Sequence, residues 1–305
     1  MKRTKIIVML SLWIGALSAQ TQYGNEWTIY GGGGSSGLKY EAENVKTGIG
    51  GLFGVGYTYY FSRTVGLSLG LEAAMYNSTL TISSLSHEYT VEPPSGLQGS
   101  FLLRTNFSGI EERQQAIVAQ VPVMLRVQAP VGGSAFFYFG SGGKVGVPVS
   151  VGYDQTVSQL VVSGYSAFTG QTFADMPTHG YGAYPAARTK GKASLSSPMM
   201  VSGELGFKIG VADKTSLLIG VYVDYGLNDI RKDLSQSAPQ FDATTTQYSL
   251  SNIINSGYIT SKIAPQAFGI KIGIAFGSGK TIEPGTKTPK TKPTKPTKPE
   301  PLWGL

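Results

Sequence analysis

Apolar and polar residues alternate with a period of two over most of the chain, as they do in strands whose successive side chains point to opposite faces. The last run is the clearest. Phe268, Ile270, Ile272, Ile274 and Phe276 fall on one face, and Gly269, Lys271, Gly273 and Ala275 on the other. Before it, Leu217, Ile219, Val221, Val223, Tyr225 and Leu227 oppose Leu218, Gly220, Tyr222, Asp224, Gly226 and Asn228. Val201, Leu205, Phe207, Ile209 and Val211 likewise oppose Ser202, Glu204, Gly206, Lys208 and Gly210.

Upstream, Phe137, Phe139, Val145, Val147, Val149 and Val151 are read as one face, against Tyr138, Gly140, Lys144, Gly146 and Ser150. Ile117, Ala119, Val121, Val123, Leu125 and Val127 oppose Gln120, Met124, Arg126 and Gln128. Val65, Leu67, Leu69, Leu71 and Met75 oppose Ser68, Gly70 and Glu72, and Ile49, Phe53, Val55, Tyr57, Tyr59 and Phe61 oppose a glycine-rich face. A weaker first strand starts near Trp27 and fades into Gly31 to Gly34.

A soluble sandwich alternates too, so the connections decide. Short turns fall at Ser62-Arg63, Pro130 to Gly133 and Ala212 to Lys214, whereas long connections run from Asn77 to Arg113, Gln155 to Pro198 and Asp229 to Ala264. Transmembrane barrels keep this order of short periplasmic turns and long outer loops. The fold expected is therefore all-β: a transmembrane, antiparallel, up-and-down β-barrel of about eight strands. Tyr57, Tyr59, Tyr60, Phe61, Phe136 and Phe137 beside short turns suit an aromatic girdle at the membrane boundary, or ordinary strand propensity.

Two features at the ends complete the organisation. Lys2, Arg3 and Lys5, an apolar stretch from Ile6 to Ile14 and the small residues ending at Ala19 read as a secretory signal over 1–19. The barrel is assigned to 20–279. A tail over 280–305, rich in Lys, Pro and Thr, repeats Thr-Lys-Pro at Thr291, Thr294 and Thr297 and is expected to be a disordered, extended periplasmic spacer.

Charge changes the picture once it is divided along the chain. The net +7 comprises three bases in the signal and a surplus of four in the tail, leaving the region between them neutral. A nucleic-acid footprint is thereby lost. Charged residues make up only 14% of the chain, against about 25% in a usual soluble domain. With no cysteine, disulfides and thiolate metal sites are closed off, and no metal or cofactor is expected.

With these strands in place, the stretch from Gln20 to Phe276 resembles the small eight-stranded outer-membrane barrels of the OmpA and OmpX type, in a style similar to those of Bacteroidetes. Within the last strand, Gly269, Ile272, Ile274 and Phe276 resemble the terminal signal read by the barrel-insertion machinery. The resemblance implies a Gram-negative outer-membrane location. OmpA also resembles this arrangement of barrel and proline-rich linker, but the short stretch from Thr281 to Leu305 is not expected to hold the peptidoglycan-binding domain.

The inner face implied by the alternation carries Glu72, Arg126, Lys144, Glu204, Lys208, Asp224 and Lys271, three acids against four bases. Charges inside so small a barrel must pair or stay hydrated, so a polar plug is expected, with a proton or ion path as the alternative. His87 beside Glu88 and His179 beside Asp175 are the only imidazole bases for an enzyme at the outer rim, and neither sits in a nucleophile motif. Gly31 to Gly34 lacks the lysine and helix of a phosphate loop and reads as closely approaching strands.

Tyr165, Phe168, Phe173, Tyr181 and Tyr184 in the second long connection suit either partner contacts or a loop folded back on the rim. In the tail, Lys292, Lys295, Lys298, Leu302, Trp303 and Leu305 suit docking to another envelope protein or to peptidoglycan. The function expected is non-enzymatic: a structural or assembly subunit of an envelope complex, in contact with outer-membrane lipid. The alternatives are a narrow transport or adhesion barrel, and a barrel enzyme.

Overall fold

The computed structural model describes residues 24–42, 44–92, 99, 101–232, 239–256, 258 and 261–277. The expected signal and the tail, with its six candidate docking residues, lie outside the described residues.

Among the described residues fourteen strands follow in chain order: β1 (Asn25–Lys39), β2 (Asn44–Thr47), β3 (Ile49–Tyr60), β4 (Val65–Val91), β5 (Phe101–Gly132), β6 (Ala135–Ser166), β7 (Gln171–Phe173), β8 (Gly182–Tyr184), β9 (Ala187–Lys192), β10 (Met199–Ala212), β11 (Thr215–Gly226), β12 (Gln240–Asp242), β13 (Gln247–Ser249) and β14 (Ala264–Gly277). Eight of them close a ring in the order β10-β11-β14-β1-β3-β4-β5-β6, and β6 returns to β10. Every junction is antiparallel, including the closing pair β1 and β14, which runs from Glu26 opposite Gly277 to Lys39 opposite Ala264. Closure removes the free edges that an open sheet would present to lipid.

The outside of the ring is apolar and the inside polar. Val123, Leu125, Phe139, Leu205, Ile272 and Ile274 project outward and are exposed, whereas Glu72, Gln120, Arg126, Lys144, Glu204 and Asp224 are buried within. This inverts a soluble protein and matches a lipid-facing wall. From Ile117 to Val127, a rise of ~3.4 Å per residue and a tilt of ~40° give an apolar band roughly 26 Å tall, the height of a bilayer core. The short turns and both ends of the ring lie at one rim, where Gly277 N donates to Lys214 O at 2.9 Å.

The long connections differ from their expectation. Much of 77–113 and of 155–166 is strand, because β4, β5 and β6 continue well past the band, paired as far as Val91 with Phe101 and Phe101 with Ser166. Strands β2, β7, β8 and β9 pair alongside this extension. Its concave face packs on Leu250, Ile253, Ile254 and Ile263.

Two facing assignments are corrected. A register shift between Ile117 and Val118, opposite Pro148 and Ser150, inserts a residue into β6, so Val149 faces lipid while Val151 turns inward and is buried. Tyr60 also points inward, where Lys208 lies over its ring, and so does not belong to a girdle.

Candidate functional site: the filled lumen and its outer cap

All seven sequence-derived lumen residues lie inside the ring, and the register sorts them into two groups. In the first, Lys144 Nζ donates to Glu72 Oε1 at 2.8 Å and to Asp224 Oδ2 at 2.9 Å, while Ser202 Oγ donates to Asp224 Oδ1 at 2.5 Å. In the second, Glu204 takes Arg126 Nη2 on Oε1 and Lys271 Nζ on Oε2, both at 2.6 Å. Arg126 and Lys208 also meet Glu26, the first at 3.6 Å and the second in a direct ion pair.

Glu26 is the residue that the sequence reading missed. It adds a fourth acid to the four bases, so each buried cation has a carboxylate partner. A signal for it exists: Glu26, Thr28 and Tyr30 alternate with Trp27 and Ile29 at the very start of β1.

Each cation also lies over an aromatic face. Lys271 is 3.9 Å from the Tyr30 ring centre, Arg126 5.3 Å from Tyr138, Lys208 5.6 Å from Tyr60 and Lys144 6.0 Å from Tyr222. The rings need room, and glycines on neighbouring strands supply it: a Cβ on Gly54 would meet Tyr30 Cζ at 2.7 Å, and one on Gly269 would meet Tyr222 Cε1 at 3.0 Å. Gly31 to Gly34 serve the same close approach, lying in β1 against Gly50 and Gly51 of β3 and Gly269 of β14. Among these groups lies a cavity of about 20 Å³, room for about one water.

Above the charges, Gln120 Nε2 donates to Tyr76 Oη at 2.7 Å, and Tyr76 Oη reaches Met200 Sδ at 3.5 Å. An apolar layer follows, with Leu38, Leu80, Ala116, Val118, Ile254 and Ile263 buried across the mouth. Segment 250–256 is pinned over it by Glu112 of β5, which is fully buried. Glu112 Oε2 accepts the Ile253 N–H at 2.7 Å and Gln155 Nε2 at 3.1 Å, and Oε1 accepts Gln114 Nε2 at 2.8 Å. Burial pushes its carboxyl up to about 7 against these hydrogen bonds, which favour the charged form.

The outer-rim candidates do not assemble as pairs. Glu88 accepts Arg104 Nε at 2.7 Å, whereas His87 packs edge-on against Tyr89 and Tyr258 at 4.5 and 5.1 Å. His179 ends a short 3-10 turn, Pro177–His179, with Nδ1 3.0 Å from Thr178 Oγ1. Among the described residues no group of three or more His, Cys, Asp or Glu side chains is placed to hold a metal ion.

Of the loop aromatics, Phe173 and Tyr181 pack with Phe101, and Tyr184 packs with Phe241 and Tyr248 at 6.0 and 5.0 Å. These three fold back on the rim, while Phe168 stays 68% exposed. In β14, Ile272, Ile274 and Phe276 face lipid and Gly269 faces the lumen.

No protein-family model matches the sequence, and no curated protein matches it. Similar solved structures include Neisserial surface protein A, at 8% identity and a TM-score of 0.34, covering 82% of this chain and 96% of that one. The N-terminal barrel domain of Pseudomonas aeruginosa OprF gives 10% and 0.29, covering 85% and 99%. The attachment invasion locus protein Ail of Yersinia pestis gives 11% and 0.29, covering 83% and 98%. Likeness at this level is one of general form; the ring of eight strands is established by its own register, and the chain is an all-β, antiparallel transmembrane barrel.

Proposed function

We propose that the protein is a non-conducting, non-enzymatic barrel of the Gram-negative outer membrane that serves as a structural or assembly subunit of an envelope complex. The observation that carries this reading is the filled lumen. Four cations and four carboxylates neutralise one another inside the ring, and the capping segment covers its mouth. An eight-stranded barrel has an interior that side chains fill, so transport has no path. On this reading function lies at the surface: in the tall sheet formed by β4, β5 and β6, assigned to the outside of the cell by analogy with the long outer loops of such barrels, and in the lysine-rich tail, assigned to the periplasm.

On this reading the sheet and the tail bind partners on opposite sides of the membrane. The tail, with Lys292, Lys295, Lys298 and Trp303, suits an acidic envelope protein or peptidoglycan. The test is gentle detergent extraction of the full-length protein and of a version ending at Gly279, followed by identification of co-purifying proteins. Partners retained by the full chain and lost with the tail are expected; equal recovery with both versions removes the tail from the account.

A further inference from the structure

The outward face of the extension changes character one step above the apolar band. At the band's upper edge Met75 and Ile117 lie side by side on β4 and β5, with Val149, 68% exposed, at the bulge beside Ile117, while Ile49, 83% exposed, accepts Asn77 Nδ2 at 2.7 Å in the row above. Two residues higher, Asn77, Gln115, Gly152 and Lys192 form one cross-strand row. The next row reads Lys46, Thr79, Arg113, Asp154, Lys190 across β2, β4, β5, β6 and β9, and the one above it ends in Glu111, Thr156 and Arg188.

These rows hold five cations, Lys46, Arg113, Arg188, Lys190 and Lys192, against the two carboxylates Glu111 and Asp154. Glu111 meets Arg113 at 3.0 Å, while Asp154 is shared by Arg188 at 2.6 Å and Lys190 at 3.1 Å. The hydrogen bonds from Arg188 hold the Asp154 carboxyl well below the usual carboxylate range. The surplus is three positive charges on a surface about 19 Å wide and about 14 Å tall, taking ~4.8 Å between strands and ~3.4 Å per residue.

We propose that this face binds the phosphate-bearing headgroup of a membrane lipid, whose acyl chains lie on the apolar wall directly beneath. The proposal rests on the membrane placement of the barrel and is independent of any partner of the sheet tip or the tail. Height decides in favour of a lipid. The cations begin within one row of the last lipid-facing residues, where a headgroup sits. Arg188 is forked onto Asp154 at 2.9 and 2.6 Å and adds charge to the face, whereas Arg113, met by Glu111 through Nε alone, turns its guanidinium to phosphate oxygens, and the lysines add point charges that neutralise a second anionic group. A soluble anion would need enclosure, and these side chains stand open, Arg113 at 72% and Lys190 at 66%.

The test uses full-length protein in nanodiscs of equal phosphatidylglycerol and phosphatidylcholine, with retained lipids counted by native mass spectrometry. Wild type is expected to keep phosphatidylglycerol at least tenfold over phosphatidylcholine. The combined variant Lys46→Gln, Arg113→Gln, Lys190→Gln, Lys192→Gln should lose that preference, each cation near an anionic surface being worth about fivefold. Asp154→Asn should raise it severalfold, a gain that a folding defect cannot imitate. Added inorganic phosphate at about 10 mM, chosen as a large excess over the protein sites, should leave retention unchanged. Equal preference in wild type and the combined variant, no gain with Asp154→Asn, or displacement of lipid by phosphate overturns the proposal.

Discussion

Glu112 accepts the backbone N–H of Ile253 at 2.7 Å across 141 residues of chain. One carboxylate on the barrel wall thus fastens the segment that closes the lumen, and it does so from a fully buried position above the apolar band. Its second oxygen is held by Gln114, whose own carbonyl accepts Tyr40 Oη at 3.1 Å.

The pH response of the cap follows from this burial. A carboxyl raised to about 7 in the folded state binds a proton that the open state, near 4.5, has released over the interval between. Cap stability is therefore full below about 4.5 and falls as pH rises through about 7, by roughly 3 kcal/mol in all, at 1.36 kcal/mol per pKa unit. Amide exchange at Ile253 and Ile254, corrected for its intrinsic pH dependence, should show more protection at pH 5.5 than at pH 8. Glu112→Gln should flatten the profile, and an unchanged slope in that variant contradicts the assignment.

Removing one member of a buried ion pair leaves the other uncompensated. Arg126→Met strips Glu204 of one of its two cations and is expected to cost about 3–5 kcal/mol in urea titrations of folding into vesicles. Arg126→Met combined with Glu204→Gln should be less destabilising than the sum of the single changes, because the two groups share one network. Strict additivity would break the pairing.

The closing seam of the ring tolerates little bulk. A Cβ on Gly34 would overlap the Phe268 carbonyl and Gly269 Cα of the facing strand. Gly34→Val should prevent β1 from closing on β14, read as loss of the folded, heat-modifiable band on gels, whereas Gly133→Ala in the short turn, where nothing lies within 4 Å, should retain it at a modest cost from its φ of 56°.

The chain has no cysteine, so single replacements report facing without background. Spin labels at 270, 272 and 274 should be accessible to oxygen from the lipid, and labels at 267 and 275 shielded. A charge at the lipid face, Val123→Arg, should cost about 2–4 kcal/mol if it lies near the midplane.

The ring was legible in the sequence wherever one face met lipid, because a bulky apolar residue at every second position has no other simple explanation. Legibility stopped at the membrane edge. Beyond Met75 the outward residues of β4 are Asn77, Thr79 and Thr81, and its inward ones Ser78 and Leu80, so the contrast fades although the strand continues. Val151 was misplaced for a different reason: a bulge shifts the phase by one residue and leaves no local trace in composition. Seven lumen charges were visible from their strands, whereas Glu26 was lost beside the glycines that dilute the first strand. Which acid meets which base depended on register across the ring, and the bond from Glu112 to Ile253 joins segments whose proximity no local pattern reports.

A filled barrel passes no ions, and planar bilayer recording of the purified full-length protein shows whether this one does, over a range of ±100 mV in 1 M KCl, conditions chosen for sensitivity. Wild type is expected to show no stable unitary conductance. Long-lived single-channel steps in wild type that change when Lys144 or Glu72 is replaced would contradict it, since they would put ions through the network that is said to close the lumen.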